Sequence, residues 1–279
     1  MVQRTMSDSS QEQTPNFEAI KQRQRTMWGS GDYSAVGVTL RLMSEQLAEP
    51  AQLHPGWRVL DVASGAGNAA LAAARRFADV VGLDYVSSLL GRAARRADAD
   101  DFPVTFVEGD AEVMPFADGS FDAVLSVVGV IFAPDQQRAA AELVRVCRPG
   151  GVIGLANWTP DGMIGELLRL VGRYVPPPAG LKPPTRWGTE EGLRELLGDR
   201  VTLRVTRREH VFRHRSPEQF VAYFRETYGP MERAFATIDS GAAGQLQADF
   251  IALVERWNTA TDGTLVAPGA YLEAVATRT

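Results

Sequence analysis

The chain has 279 residues, 45% of them apolar, and a formal net charge of −5, enough apolar material for one large α/β domain or a domain with an inserted cap. A mildly acidic chain without a Lys/Arg-dense segment offers no electrostatic footprint for nucleic acid. Its longest apolar run, Phe121 to Ala133, is broken by Asp122, Ser126 and Gly129 and is too short to cross a bilayer. Basic residues are almost all arginine, with lysine only at Lys21 and Lys182. The single cysteine, Cys147, cannot form an internal disulfide and fits a reducing cytoplasm. It closes a predicted helix with Leu143, Val144 and Val146 and reads as buried packing.

In chain order, residues 1–16 lack an apolar core segment and a small-residue cleavage site, so they read as a disordered lead-in and not as a secretory signal. Phe17 to Trp28 is a predicted helix, Gly29 to Tyr33 a turn, and Val36 to Leu47 a second helix ended near Pro50. Residues 17–50 thus form a helical lid or packing arm ahead of the sheet. The stretch Arg58 to Ala74, RVLDVASGAGNAALAAA, follows. Val59, Leu60 and Val62 read as a strand buried on both faces. Ser64-Gly65-Ala66-Gly67 is a turn whose glycines permit positive φ and close approach of a ligand to the backbone. From Asn68 a helix points its free N–H groups and positive dipole end at that turn. Asp61 at the strand end would repel a pyrophosphate. It suits a ligand with an ammonium near the acid and a carboxylate near the helix, and the methionine end of S-adenosylmethionine carries both. The pattern D-x-A-x-G-x-G over Asp61, Ala63, Gly65 and Gly67 resembles the first motif of class I S-adenosylmethionine-dependent methyltransferases. The same glycines satisfy the loose dinucleotide fingerprint G-x-G-x-x-G/A, so an NAD(P)-dependent oxidoreductase stays open at this point.

Val80 to Leu83 is a second strand ending at Asp84, which lies where nucleotide folds bind ribose hydroxyls, with Tyr85 near the adenine plane. Ser87 and Ser88 cap a helix from Leu89 to Ala97. Pro103 to Val107 is the third strand. After it, GDAEVMPFADGSFDAVLS, from Gly109 to Ser126, is similar to the third and fourth motifs of the ubiquinone/menaquinone C-methyltransferase-like branch. That resemblance, which extends to bacterial natural-product methyltransferases, assigns the adenine amino group to Asp110 and a ring nitrogen to the Ala111 N–H. It also implies that an N-terminal aromatic, Tyr33 or Trp28, closes over the cofactor, and aromatic faces suit a sulfonium. Phe121 to Ser126 is a fourth strand, and the loop from Val127 to Asp135 crosses the strand ends. The Ser126–Val127 backbone and Phe132 are expected to line the passage from cofactor to acceptor. Gln136 to Cys147 is a helix stopped by Arg148-Pro149-Gly150-Gly151, and Val152 to Ala156 is the fifth strand.

From Trp158 the shared pattern ends. Met163 to Tyr174 and Thr189 to Leu197 read as helices, Val201 to Arg213 as a long strand, Gln219 to Tyr228 as a helix capped by Ser216, and two more helical stretches reach Trp257. Tyr271 to Ala276 reads as an antiparallel last strand. The expected fold is a Rossmann-like, doubly wound, mostly parallel seven-stranded sheet with that strand antiparallel and an inserted, mainly helical cap. Its core spans 51–157, the acceptor-binding cap 158–262 and the last strand 263–279. The cap concentrates large side chains, among them Trp158, Leu167, Trp187, Phe220, Phe224 and Tyr228, which suits an apolar or aromatic acceptor.

Methyl transfer needs alignment and exclusion of water more than it needs a base. If a proton must leave, Tyr33, His210 and Tyr228 are the candidate bases. His210 and His214 are spaced as metal ligands would be on a helix, but VTLRVTRREHVFRH alternates like a strand, which holds them apart, and a third ligand is missing; no metal is expected. The reading is therefore a cytoplasmic S-adenosylmethionine-dependent methyltransferase acting by C- or O-methylation on a small, largely apolar acceptor. A non-catalytic S-adenosylmethionine-binding protein is the other rival, and the oligomeric state, a homo-oligomer included, is left open.

Overall fold

Val59, Leu60 and Val62 are inaccessible to solvent because β1 (Arg58–Val62) pairs on both sides, parallel to β2 (Asp79–Asp84) and to β4 (Phe121–Val127). With both edges paired and both faces covered, only apolar side chains are stable at these positions. A computed structural model describes residues 15–30 and 32–279; apart from Pro15 and Asn16, the lead-in expected at 1–16 lies outside the described residues. The remaining strands are β3 (Val104–Glu108), β5 (Cys147–Trp158), β6 (Val201–His214) and β7 (Leu265–Arg278). They form one seven-stranded sheet in the order β3-β2-β1-β4-β5-β7-β6. β7 lies antiparallel between β5 and β6, as the Rossmann-like reading expects.

The chain leaves β1 in one direction, through β2 to β3, and then crosses back to β4 on the other side of β1. Such a reversal opens a crevice at the carboxyl ends of the strands. Ser126 fixes its floor: its Oγ donates to the Val62 carbonyl at 2.7 Å and accepts from the Val130 N–H at 3.0 Å. This ties the ends of β1 and β4 together.

The helices are α1 (Phe17–Gly29), α2 (Tyr33–Thr39), α3 (Arg41–Ala48), α4 (Asn68–Ala74), α5 (Ser87–Ala99) and α6 (Gln136–Val146), followed in the cap by α7 (Met163–Tyr174), α8 (Glu190–Leu197), α9 (Pro217–Thr227), α10 (Gly229–Thr237) and α11 (Ser240–Trp257). α4 is buried from Ala69 to Ala74, and its alanines let it lie close to the sheet and to α3. α6 buries Ala139, Ala140, Leu143 and Val144, one stripe at helical spacing, and Asp135 caps it by accepting from the Arg138 N–H at 3.0 Å. In the cap, α7 packs on α11, α9 on α10 and α11, and α10 on α1. The last contact needs Gly229, because a Cβ there would lie 2.1 Å from the Met27 carbonyl oxygen.

Four features differ from the sequence reading. Ser87 and Ser88, read as caps, are the first residues of α5, whose N-cap is Val86 without a side-chain cap bond; the Ser87 hydroxyl donates to Glu108 instead. The second helix begins at Tyr33, not Val36, and breaks at Leu40 into α2 and α3. Cys147 opens β5 and does not end a helix; it is buried, and burial pushes its thiol up to about 11. The last strand starts at Leu265, six residues before Tyr271, because β6 pairs with it along its whole length, from Val201↔Arg278 to His214↔Leu265.

Candidate functional site

The crevice holds two adjoining cavities. The first is lined by Asp61, Ala63, Ser64 and Gly65 after β1, Asp84 and Tyr85 at the end of β2, Asp110, Ala111 and Glu112 after β3, and Val127 to Val130 after β4. Lys21 and Trp28 of α1 and Tyr33 of α2 close it from above. Of the predicted cofactor residues, Tyr33, Asp61, Ala63, Gly65, Asp84, Tyr85, Asp110, Ala111 and Val127 meet here. Gly67 and Ser126 do not line the cavity. Gly67, at φ 79°, turns the chain into α4, and a Cβ there would lie 3.0 Å from the Cβ of Ala93. Ser126 is buried behind the wall, both functions of its hydroxyl spent on backbone.

The turn itself is tightly specified. Ala63 and Gly65 both have φ 53°, which for Ala63 costs about 1–2 kcal/mol of left-handed strain. Gly129 packs directly on it: a Cβ at Gly129 would sit 2.5 Å from the Ala63 carbonyl oxygen. Asp61, 2% exposed, accepts on Oδ2 from Ser64 Oγ and from the Ala70 N–H, each at 2.8 Å. One first-turn donor of α4 is thereby already used. Asp61 Oδ1 has no partner among the described residues. Asp84 accepts from the Gly65 N–H at 2.8 Å and the Val86 N–H at 2.9 Å. Neither carboxylate meets a basic side chain among the described residues. Burial, only partly offset by these hydrogen bonds, pushes Asp61 up to about 7 and Asp84 up to about 6.

Asp110 is different. The Lys21 ammonium donates to its Oδ2 at 2.8 Å and lies 3.2 Å from Glu112 and 3.1 Å from Glu18, while Asp110 Oδ1 accepts from the Glu112 N–H. Burial works against the Lys21 charge, but Asp110, Glu18 and Glu112 outweigh it and hold Lys21 above the ordinary lysine range. α1 is further tied down by Gln24, whose Nε2 donates to the Phe132 carbonyl at 2.9 Å and whose Oε1 accepts from the Tyr85 hydroxyl at 3.3 Å. Lys21, Gln24, Glu112 and Gly129 escaped the sequence reading. The one available signal was that Lys21 is among only two lysines in an arginine-rich chain.

The second cavity opens from the first across Tyr33, Leu40, Val128 and Phe132, which line both. Beyond them it is walled by Val36, Trp158, Ile164, Leu167, Leu168, Phe212, Phe224 and Tyr228. Trp28 roofs the junction, its ring centroid 4.9 Å from Phe132, 5.5 Å from Tyr33 and 5.6 Å from Tyr228. No carboxylate, histidine or lysine lines this second space. Of the three candidate bases, Tyr33 stands at the junction and Tyr228 in the second cavity. His210 lines neither: it is buried against Phe212 at 4.7 Å, and burial lowers it to about 4.

Residues 60–155 match the family described as a methyltransferase domain. An uncharacterized protein of Mycobacterium tuberculosis, Rv1405c, is 40% identical over 246 residues, 84% of this chain and 87% of that one. A demethylmenaquinone methyltransferase of Deinococcus radiodurans is 37% identical over 137 residues, 48% of this chain and 57% of that one. Among solved structures, a putative methyltransferase from Bacillus halodurans superposes with a TM-score of 0.59 at 22% identity, covering 84% of this chain and 97% of its own.

Proposed function

Since the chain belongs to the class I S-adenosylmethionine-dependent methyltransferases, we propose that it methylates carbon or oxygen of a small, largely apolar acceptor such as a quinone, phenol, isoprenoid or other natural product. The observation that carries this is the second cavity: a space walled by aliphatic and aromatic side chains that opens onto the cofactor crevice. The similarity to a demethylmenaquinone methyltransferase, over 48% of this chain, supports a ring acceptor.

The residues present fit the cofactor. Asp61, a buried carboxylate without a basic partner just ahead of the glycine turn, suits a ligand carrying positive charge and would repel the pyrophosphate of a dinucleotide, so an NAD(P)-dependent reading is not favoured. Asp61, through its unpartnered Oδ1, is assigned the ammonium, Asp84 the ribose hydroxyls, and Asp110 with the Ala111 N–H the adenine edge. The backbone at Ala63 and Gly65, the wall at Val127 and the ring of Tyr33 complete the site. Bound S-adenosylmethionine supplies an electrophilic methyl group on a sulfonium. The protein's part is to orient the acceptor at the junction and keep water out, which Trp28, Tyr33, Leu40, Val128 and Phe132 do by their packing. None of these is a base at neutral pH: burial, with a smaller contribution from Asp84, pushes Tyr33 up to about 12.

A screen with methyl-labelled S-adenosylmethionine against apolar phenols, quinols and isoprenoids, alongside polar amines and amino acids, tests the reading. Label in the apolar products with release of S-adenosylhomocysteine is expected. Turnover confined to the polar acceptors would overturn it, and binding without turnover of any acceptor would favour a non-catalytic role.

A further inference from the structure

The second cavity is apolar except for the indole of Trp158 and two phenol hydroxyls. Tyr33, in the first turn of α2, and Tyr228, between α9 and α10, both line it as neighbours, with ring centroids 6.3 Å apart. Both residues are half-buried, and neither hydroxyl has a hydrogen-bond partner among the described residues. They are close enough that ionisation of one opposes ionisation of the other; burial first, then this neighbour, holds Tyr228 above the ordinary tyrosine range. Both are therefore neutral donors at physiological pH. Water can satisfy such a hydroxyl until an acceptor oxygen displaces it, and that oxygen then takes over the hydrogen bond.

We propose that Tyr33 and Tyr228 form a donor pair for one oxygen of an acceptor that enters already ionised, as the phenolate or enolate of an acidic ring compound. The proposal rests on the methyltransferase reading and narrows it to one acceptor class. Methylation of a hydroxyl or of an enolisable carbon releases a proton, yet no residue lining the acceptor cavity can take one. An acceptor that loses its proton to water before entry needs no base. Its electron pair, on oxygen or on the conjugated carbon, then forms the bond to the methyl carbon while the carbon–sulfur bond breaks with its pair going to sulfur. The negative charge of the acceptor and the positive charge of the sulfonium cancel. A permanently cationic acceptor is disfavoured, because it would find no carboxylate in this cavity. Of the titratable groups around this cavity, His210 packs behind Phe212 and burial lowers it to about 4, so it stays neutral, and Asp84 lies on the cofactor side, close enough to oppose ionisation of Tyr33.

The test uses the full chain saturated with sinefungin, whose amine stands in place of the sulfonium, and two probes: 4-nitrophenol, half-ionised near neutrality, and uncharged nitrobenzene. Calorimetry first establishes sinefungin binding. The probes are then titrated, the anion being followed by its visible absorbance. Wild type is expected to prefer the phenolate and to lower the apparent pKa of bound nitrophenol. Tyr228→Phe and Tyr33→Phe, which keep the ring, should each weaken the phenolate roughly tenfold or more, as for loss of a hydrogen bond to a charged group, and leave nitrobenzene within about twofold. Equal affinity for both probes, no binding of either, or a phenolate preference that survives the double variant would overturn the donor pair while leaving the methyltransferase reading standing. Failure of sinefungin to bind would sink both.

Discussion

Asp61 and Asp84 are buried without a basic partner, so each holds its proton more tightly in the folded chain than in the unfolded one. Their folded values of about 7 and about 6 lie above the ordinary carboxylate range. The folded state therefore binds more protons between about pH 4 and pH 7, and stability from this pair is full below that window and lost as pH rises through it. Thermal melts of the free protein are expected to lose this share across the window, and Asp61→Asn should flatten the slope. Cofactor binding has the opposite sign. A cationic ligand needs the carboxylates ionised, so the rise in Tm on adding S-adenosylmethionine should grow over the same window; a rise that shrinks with pH would contradict the assignment. Gly129 has a steric role. Gly129→Ala drives a methyl into the Ala63 backbone and should cost about 1–3 kcal/mol, as overpacking does, with cofactor affinity falling at least tenfold by calorimetry. Asp61 and Asp84 were legible because each sits at the end of a short apolar strand, Asp61 just before the glycine turn. Gly129 was not, since the backbone it supports is reached only through the fold.

α1 is the element on which closure of the site depends. It meets the crevice through the Lys21 ion pairs, the Gln24 hydrogen bonds and the Trp28 ring. Lys21→Met would leave Asp110 and Glu112 facing each other without a cation. Breaking a buried pair of this kind costs about 3–5 kcal/mol where the partner stays buried, and α1 can avoid part of that by lifting away. Hydrogen exchange is expected to show protection lost over residues 17–29 in Lys21→Met, with weaker S-adenosylmethionine binding and an otherwise protected sheet. Unchanged protection of α1 would show that the ion pair does not hold the roof. Asp135→Ala should cost about 1 kcal/mol through loss of the α6 cap, read as a lower Tm with unaltered cofactor affinity. Elements governed by local signals were the legible ones: the Ser216 cap of α9, glycine turns and short apolar runs. β7 starts six residues before the strand expected at Tyr271, running through Pro268 and Gly269, residue types that local propensity disfavours in a strand. Pro268 lacks an N–H to donate, yet it is accommodated beyond the segment of β7 that pairs with β5, opposite Val211 of β6. Pairing with a fourteen-residue neighbour overrode local propensity.

At the scale of the molecule, the order of strands creates the crevice, the N-terminal helices roof it and the cap helices supply the apolar chamber beside it. The fold was readable because β1 to β5 follow one another in the chain, with the candidate residues Asp61, Asp84 and Asp110 at or just after the ends of β1, β2 and β3. The chamber was not, because burial in a core and exposure to a cavity select the same side chains. Trp187 and Phe220 are fully buried in the core, whereas Trp158 and Phe224 line the chamber, and helical or strand periodicity cannot separate the two cases. Lys21 and Asp110 meet across 89 residues of sequence, a distance no local pattern spans. Central to this reading are two buried carboxylates without basic partners among the described residues, Asp61 proposed for the ammonium and Asp84 for the ribose. Calorimetric titration of S-adenosylmethionine into wild type, Asp61→Asn and Asp84→Asn, with a thermal melt of each, tests this most directly. Affinity is expected to fall tenfold or more in each variant while Tm stays level or rises, since a buried charge has been removed. Undiminished uptake by both variants, or tighter binding of NADH than of S-adenosylmethionine by wild type, would contradict it.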